Sequence, residues 1–153
     1  MSFMLPICIS LILLDQATKF AVMRYFPLFT GKVVIPGFFN LVHVRNTGSA
    51  FSLFAGANPS WRLPFFIVST LLIVGVILFA YTKVRREETW LRTAYSLIVG
   101  GALGNLIDRL RFGEVVDFLD FYVGSYHWPA FNVADSAITT GALMLLVSML
   151  RTR

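Results

Sequence analysis

Charge is what this 153-residue chain has least of. Asp, Glu, Lys and Arg together make up 14% of it, where a soluble domain carries about a quarter. Hydrophobic residues make up 57%, and the mean hydropathy is +0.74. That balance excludes a soluble globular domain and reads as an integral membrane protein. Cysteine is represented once, by Cys8, which excludes an intrachain disulfide and a cysteine-built metal site. Histidine occurs twice, at His43 and His127, and no HExxH segment is present, so a zinc-peptidase site has no ligands to build on. Neither histidine has a serine or cysteine nucleophile at helical or strand spacing. Both read as surface or interface residues. Acidic residues are outnumbered, giving a net charge of +5, yet the cations stand at the ends of apolar runs and form no stripe, so nucleic acid is not the expected partner. Repeats and low-complexity tracts are also missing.

What the chain does have is apolar runs of membrane-spanning length, about 20 residues each. Four are expected to span, over approximately 3–26, 63–81, 91–110 and 131–150. The second, 63-LPFFIVSTLLIVGVILFAY-81, contains no charge at all. The first lacks a basic leader and a small-x-small cleavage site, and is read as a retained span. Between spans one and two, 32-KVVIPGFFNLVHVRNTGSAF-51 is rich in β-branched and aromatic residues around a Pro36-Gly37 turn signal. The expected architecture is a mainly α membrane protein, a single domain over 1–153, with four transmembrane helices and a small β-rich lobe, approximately 29–55, on the extracytoplasmic surface.

Lys83, Arg85, Arg86 and Arg92 cluster in one short connection, which the positive-inside rule assigns to the cytoplasm together with both termini. Every aspartate, Asp15, Asp108, Asp117, Asp120 and Asp135, then falls towards the outer half. Intramembrane ionisable groups are functional hypotheses by default. Asp15 and Lys19, four apart, share a helix face and can pair. Gly100 and Gly104, with Ala137 and Gly141, give small-xxx-small spacings expected to draw spans three and four together. That approach would bring Asp117 and Asp135 within reach of each other. Two carboxyls in one desolvated site cannot both ionise easily, and such a pair can activate water as base and acid together. Spacing alone leaves Asp108 and Asp120 as further acidic candidates. A proton-coupled transporter could use the same carboxylates, although repeat symmetry is missing and span two is almost free of polar residues.

The segments 15-DQATK-19, 46-NTGSAF-51, 100-GGALGNLIDR-109, 115-VVDF-118 and 131-FNVADS-136, in this order, resemble the motif set of the bacterial lipoprotein signal peptidases (signal peptidase II). The resemblance implies an aspartic endopeptidase of the bacterial inner membrane that needs no cofactor or metal. It would remove signal peptides from diacylglyceryl-modified prolipoproteins before the lipidated cysteine, and it would be a target of the peptide antibiotic globomycin. Motif by motif, the catalytic pair falls on Asp117 and Asp135. Asn46, Gly48, Asn105, Arg109 and Asn132 become substrate-binding or orienting residues. Asp15, Lys19 and Asp108 become structural polar residues, with Asp108 expected to serve the neighbourhood of Arg109. The active site would lie near the outer leaflet, and one chain carries the whole motif set, so a monomer suffices.

Overall fold

The computed structural model of the chain describes residues 2–48 and 58–151. Among these, helices α1 (Met4–Tyr25), α2 (Pro59–Tyr81), α3 (Thr89–Phe112) and α4 (Val133–Arg151) alternate with strands β1 (Gly31–Ile35), β2 (Phe39–Asn46), β3 (Val115–Val123) and β4 (Tyr126–His127). Three helices, α1, α2 and α4, are long and apolar enough to cross a membrane. The chain is therefore a mainly helical membrane protein with a small antiparallel sheet.

Position in the bundle explains why α3 is the least apolar helix. It packs against α1, α2 and α4 and buries Ser96, Asn105 and Asp108 along with its apolar residues. A helix shielded on three sides can carry polar groups that meet partners, whereas a lipid-facing one cannot. At the other extreme, α2 leaves Leu72, Val76 and Phe79 about two-thirds exposed, as a helix that is apolar all round does in lipid. It starts four residues ahead of the uncharged run. Asn58 Oδ1 accepts the Ser60 N–H at 3.0 Å, and a proline opens the first turn, where its missing N–H costs nothing.

The glycine pattern divides differently from the sequence expectation. Gly100 and Gly104 face α1: a Cβ on Gly104 would stand 2.8 Å from Asp15 Oδ2, and one on Gly100 would stand 2.9 Å from Leu11 Cδ2. The close approach of α3 to α4 comes instead from Gly101, set against the Ala134 carbonyl, and from Gly141, set against that of Ala94. Successive helix positions point about 100° apart, so neighbouring glycines serve different partners.

The strands form one sheet in the order β1-β2-β3-β4, antiparallel throughout. The β1–β2 turn places Pro36 ahead of Gly37 at φ +78°, closed by Phe38 N–H to Ile35 O at 3.1 Å, the type II arrangement that requires glycine. The second half of the sheet lies outside the expected lobe. Residues Val115–Val123, which carry the VVDF motif, form β3 and Tyr126–His127 form β4, while 49–55 of the expected lobe lie outside the described residues. VVDFLDFYV is β-branched and aromatic, the composition of a strand. Gly113, left-handed at φ +74°, ends α3 and turns the chain into β3.

His43 also departs from expectation. It is buried, at a bulge of β2, with Nδ1 2.9 Å from Phe26 O. A carbonyl can only accept, so Nδ1 carries the proton and satisfies an oxygen just beyond the end of α1, where helix carbonyls lack partners. His127 is the exposed one, with Nδ1 2.9 Å from Asp120.

Candidate active site

The site is built in two tiers at the end of the bundle where α1 finishes, α4 begins and the sheet covers both. The lower tier is fully buried. Lys19 Nζ lies 2.8 Å from Asp15 Oδ2, 2.9 Å from Asp108 Oδ2 and 3.0 Å from Asn105 Oδ1, which uses all three ammonium protons. Two carboxylates against one cation leave negative charge to disperse, and further donors meet it. Ala134 N–H donates to Asp15 at 3.0 Å, Val116 N–H to Asp108 at 3.1 Å, and Gln16 Nε2 to Asp108 at 2.9 Å. The i, i+4 pair is thus joined by a third helix. Asp108 binds Lys19, Gln16 and β3, and its hydrogen bonds do not go to Arg109.

These contacts tie α1 to the first turn of α4 and to the start of β3, which fixes the upper tier. Asn132 stands just before α4. Its Oδ1 accepts the Asp135 N–H at 2.9 Å, while Asp135 Oδ2 accepts the Asn132 N–H at 3.2 Å. This is a reciprocal capping box, in which cap and third helical residue satisfy each other's backbone. The carboxylate is oriented by the same local bonds that start the helix. A second bond comes from α3: Asn105 Nδ2 donates to Asp135 Oδ1 at 2.7 Å.

Asp117 arrives from the sheet. It sits opposite Val44 on β2, and Asn132 Nδ2 donates to its Oδ1 at 2.7 Å and to Val116 O at 3.2 Å. Asn46 gives a further side-chain hydrogen bond to Asp117. Phe131 bonds Leu119 in both directions, at 2.8 and 3.1 Å, holding the approach to α4 alongside β3. Asn132 therefore bridges the two acids, its side-chain amide on Asp117 and its backbone N–H on Asp135. Burial pushes the Asp117 carboxyl up to about 7; the neighbouring Asp135 carboxylate adds to the rise, and the amides of Asn46 and Asn132 and the Lys19 charge oppose it.

Arg109 reaches the rim. Its Nη2 donates to Gly48 O at 3.1 Å and its guanidinium lies 4.8 Å from the centre of the Phe66 ring. Asn46 Oδ1 accepts the Gly48 N–H at 2.9 Å, so the segment after β2 is held from both sides. Residues 49–51 of that motif lie outside the described residues.

All ten site residues singled out from the sequence therefore converge, in two tiers. Asp120 does not join them. Three positions along a strand reverse the face, and Asp120 turns away to Asn40 Nδ2 at 2.8 Å and to His127. Sequence reasoning missed Gln16, whose amide contacts Asp15, Asp108 and the Gly104 carbonyl. It also missed the capping box, which the N-x-x-D spacing of 132–135 signals.

The family model described as signal peptidase (SPase) II matches residues 7–151. The chain belongs to the signal peptidase II family. Its relatives include the lipoprotein signal peptidase of Syntrophus aciditrophicus, 50% identical over 92% of this chain and 87% of that protein. That of Syntrophotalea carbinolica is 49% identical over 97% of this chain and 91% of that protein. Two solved bacterial membrane enzymes share the fold. One is 32% identical with a TM-score of 0.88 over 99% of this chain and 89% of its own. The other is 31% identical with a TM-score of 0.89, over 100% and 96%. Membership in the signal peptidase II family makes the chain a protease of the hydrolase class, and the two-tier polar site gathers Asp15, Asp108 and Asp117, three of the four buried acids among the described residues.

Proposed function

We propose that the chain is an aspartic endopeptidase that removes signal peptides from diacylglyceryl-modified prolipoproteins, cutting before the lipidated cysteine with water activated by Asp117 and Asp135. The observation that carries this reading is the Asn132 bridge: one residue holds the buried Asp117 carboxyl of a strand through its side-chain amide and the half-buried Asp135 carboxylate of a helix through its backbone N–H, in a single polar site. Asp117, with its carboxyl pushed up to about 7, is the partner that keeps the shared proton. Asp135, held by two N–H donors, is the carboxylate that takes a proton from water.

Attack of that water on the scissile carbonyl gives a tetrahedral carbon whose oxygen is hydrogen-bonded by protonated Asp117. The proton taken by Asp135 passes to the leaving nitrogen as the C–N bond breaks, and the pair returns to one shared proton. Asn46, Asn105, Asn132 and Arg109, with the Gly48 backbone, orient the pair and the substrate chain. No cofactor enters these steps.

In this reading α3 is the fourth span. Lys83, Arg85, Arg86 and Arg92 keep their end of the bundle in the cytoplasm with both termini, and the dyad lies near the outer leaflet of the bacterial inner membrane, beneath a sheet on the extracytoplasmic surface. The location suits the substrate. Two acyl chains, at about 0.8 kcal/mol per buried methylene, do not leave lipid, so the protease must meet its substrate at the membrane. One chain holds the complete site and acts as a monomer.

The test is cleavage by the purified protein of a prolipoprotein with and without its diacylglyceryl group. Cleavage of the modified form alone, blocked by globomycin, is expected. Equal cleavage of both forms, or full activity at saturating globomycin, would contradict the assignment.

A further inference from the structure

The end of the bundle opposite the dyad carries a second polar concavity, of about 470 Å³, lined by Ser2, Phe3, Arg86 and Arg92. Arg92 is built in. Its guanidinium lies 4.5 Å from the Phe3 ring centre, Nε and Nη2 donate to Tyr81 Oη at 3.2 and 3.1 Å, and Nη1 donates to Arg86 O at 3.0 Å. A guanidinium has five N–H donors; three are used here on neutral oxygens, so two N–H groups remain. Arg86 is exposed beside it. The acids nearby do not neutralise this pair among the described residues: Glu88 engages Arg85, at 3.5 Å from its Nε and 2.9 Å from its backbone N–H, and Glu87 is exposed with no ion pair to either arginine.

The concavity does not stand alone. Along the same two helices runs a mostly apolar groove of about 430 Å³ lined by Pro6, Ile7, Ser10, Leu11, Leu14 and Leu97. Phe3 and the α1 members of this groove recur at three- and four-residue steps, so they form one helix face, and it is this face of α1 that links the two, since Leu97 stands about 140° around α3 from Arg92. From Pro6 to Leu14 the groove extends about 12 Å at 1.5 Å per residue. A dicationic concavity at the end of α1 and an open apolar groove further along the same face of that helix, on the outside of a membrane bundle, together match the polarity of a lipid.

We infer that α1, α3 and the α2–α3 connection form a binding site for one anionic phospholipid, its phosphate on Arg86 and Arg92 and an acyl chain in the groove between α1 and α3. Guanidinium forks match phosphate oxygens in pairs, and the groove distinguishes a lipid from a free anion. The site is far from the dyad and independent of its chemistry.

The test measures phosphatidylglycerol retained by the full-length protein after extensive detergent exchange, and its protection against thermal unfolding as the lipid is titrated. Wild type is expected to keep about one lipid per chain and to prefer it to phosphatidylcholine. Arg86→Gln removes an exposed side chain, and Arg92→Lys keeps the charge but loses the fork; each should weaken retention about tenfold, the loss of one charge-assisted bond. Ser10→Trp, which blocks the groove from an exposed position, should do the same with both arginines intact. Inorganic phosphate at millimolar concentration should not reproduce the protection. Equal retention in wild type and all three variants would overturn the site. Protection by inorganic phosphate that is indifferent to Ser10→Trp would overturn the lipid in favour of a simple anion.

Discussion

Asn132 links backbone, packing and chemistry through one side chain. Its oxygen caps α4, and its amide nitrogen reaches Asp117, Asn105 and the Val116 carbonyl. The price of the site is set at Asp117. A carboxyl whose folded-state proton affinity is raised binds a proton that the unfolded chain releases. Its favourable contribution is therefore complete below the ordinary carboxylate range and lost as pH rises towards about 7. From the ordinary value of 3.8 to about 7 the loss is on the order of 4 kcal/mol. Asp117→Asn should therefore gain stability relative to wild type as pH is raised from 4 to 7, with no further gain above about 8. Thermal unfolding in detergent across this range checks it; a constant difference at all pH values would show that Asp117 ionises as an ordinary aspartate. The same titration should make wild-type cleavage fall as pH rises through about 7, where the shared proton is lost.

The four helices were legible as elements because long apolar runs have few alternatives in lipid, and Pro36-Gly37 marked its turn correctly. What could not be read was which face met which partner. Gly100 and Gly101 are indistinguishable in a motif, yet one faces α1 and the other α4. The strand at 115–123 was obscured because its alternation is broken: Asp117 and Asp120 lie on opposite faces, both buried, so no polar face stands out. His43 read as a surface residue because its acceptor, the Phe26 carbonyl, belongs to a helix end that the sequence does not mark. Asn132 was legible as a motif residue but not as a cap, and the two roles can be separated. Asn132→Ser keeps an N-cap oxygen, which costs little in stability, but loses the amide to Asp117. Unfolding within about 1 kcal/mol of wild type with cleavage reduced at least tenfold is expected. Proportional loss of both would mean that Asn132 only caps α4.

At the scale of the whole molecule, Lys19, Asp15 and Asp108 join α1, α3 and α4 beneath the site, with the Asp108 bond to Val116 adding the sheet. The convergence of distant motifs on this buried ion cluster explains why polar residues spread from 15 to 135 belong to one site: each meets a partner supplied by another element, which a membrane interior demands. Polarity separates the ends, with the dyad and sheet at one and Lys83, Arg85, Arg86, Arg92 and Arg151 at the other. With Cys8 replaced by Ala, single cysteines at the exposed positions of Arg86 and Tyr126 should report opposite sides: a membrane-impermeant maleimide added to intact spheroplasts should label Tyr126→Cys and spare Arg86→Cys. The reverse pattern would invert the topology and remove the dyad from the outer leaflet. The most direct measurement is turnover of a diacylglyceryl-modified prolipoprotein by Asp117→Asn, Asp135→Asn and Asp120→Asn, each first shown to be folded. The first two should lose at least a thousandfold in rate, on the order of 4 kcal/mol of barrier, while Asp120→Asn stays within about threefold, since its carboxylate serves Asn40 and His127 away from the site. Full activity in either dyad variant, or loss of turnover in Asp120→Asn alone, would contradict water activation by Asp117 and Asp135.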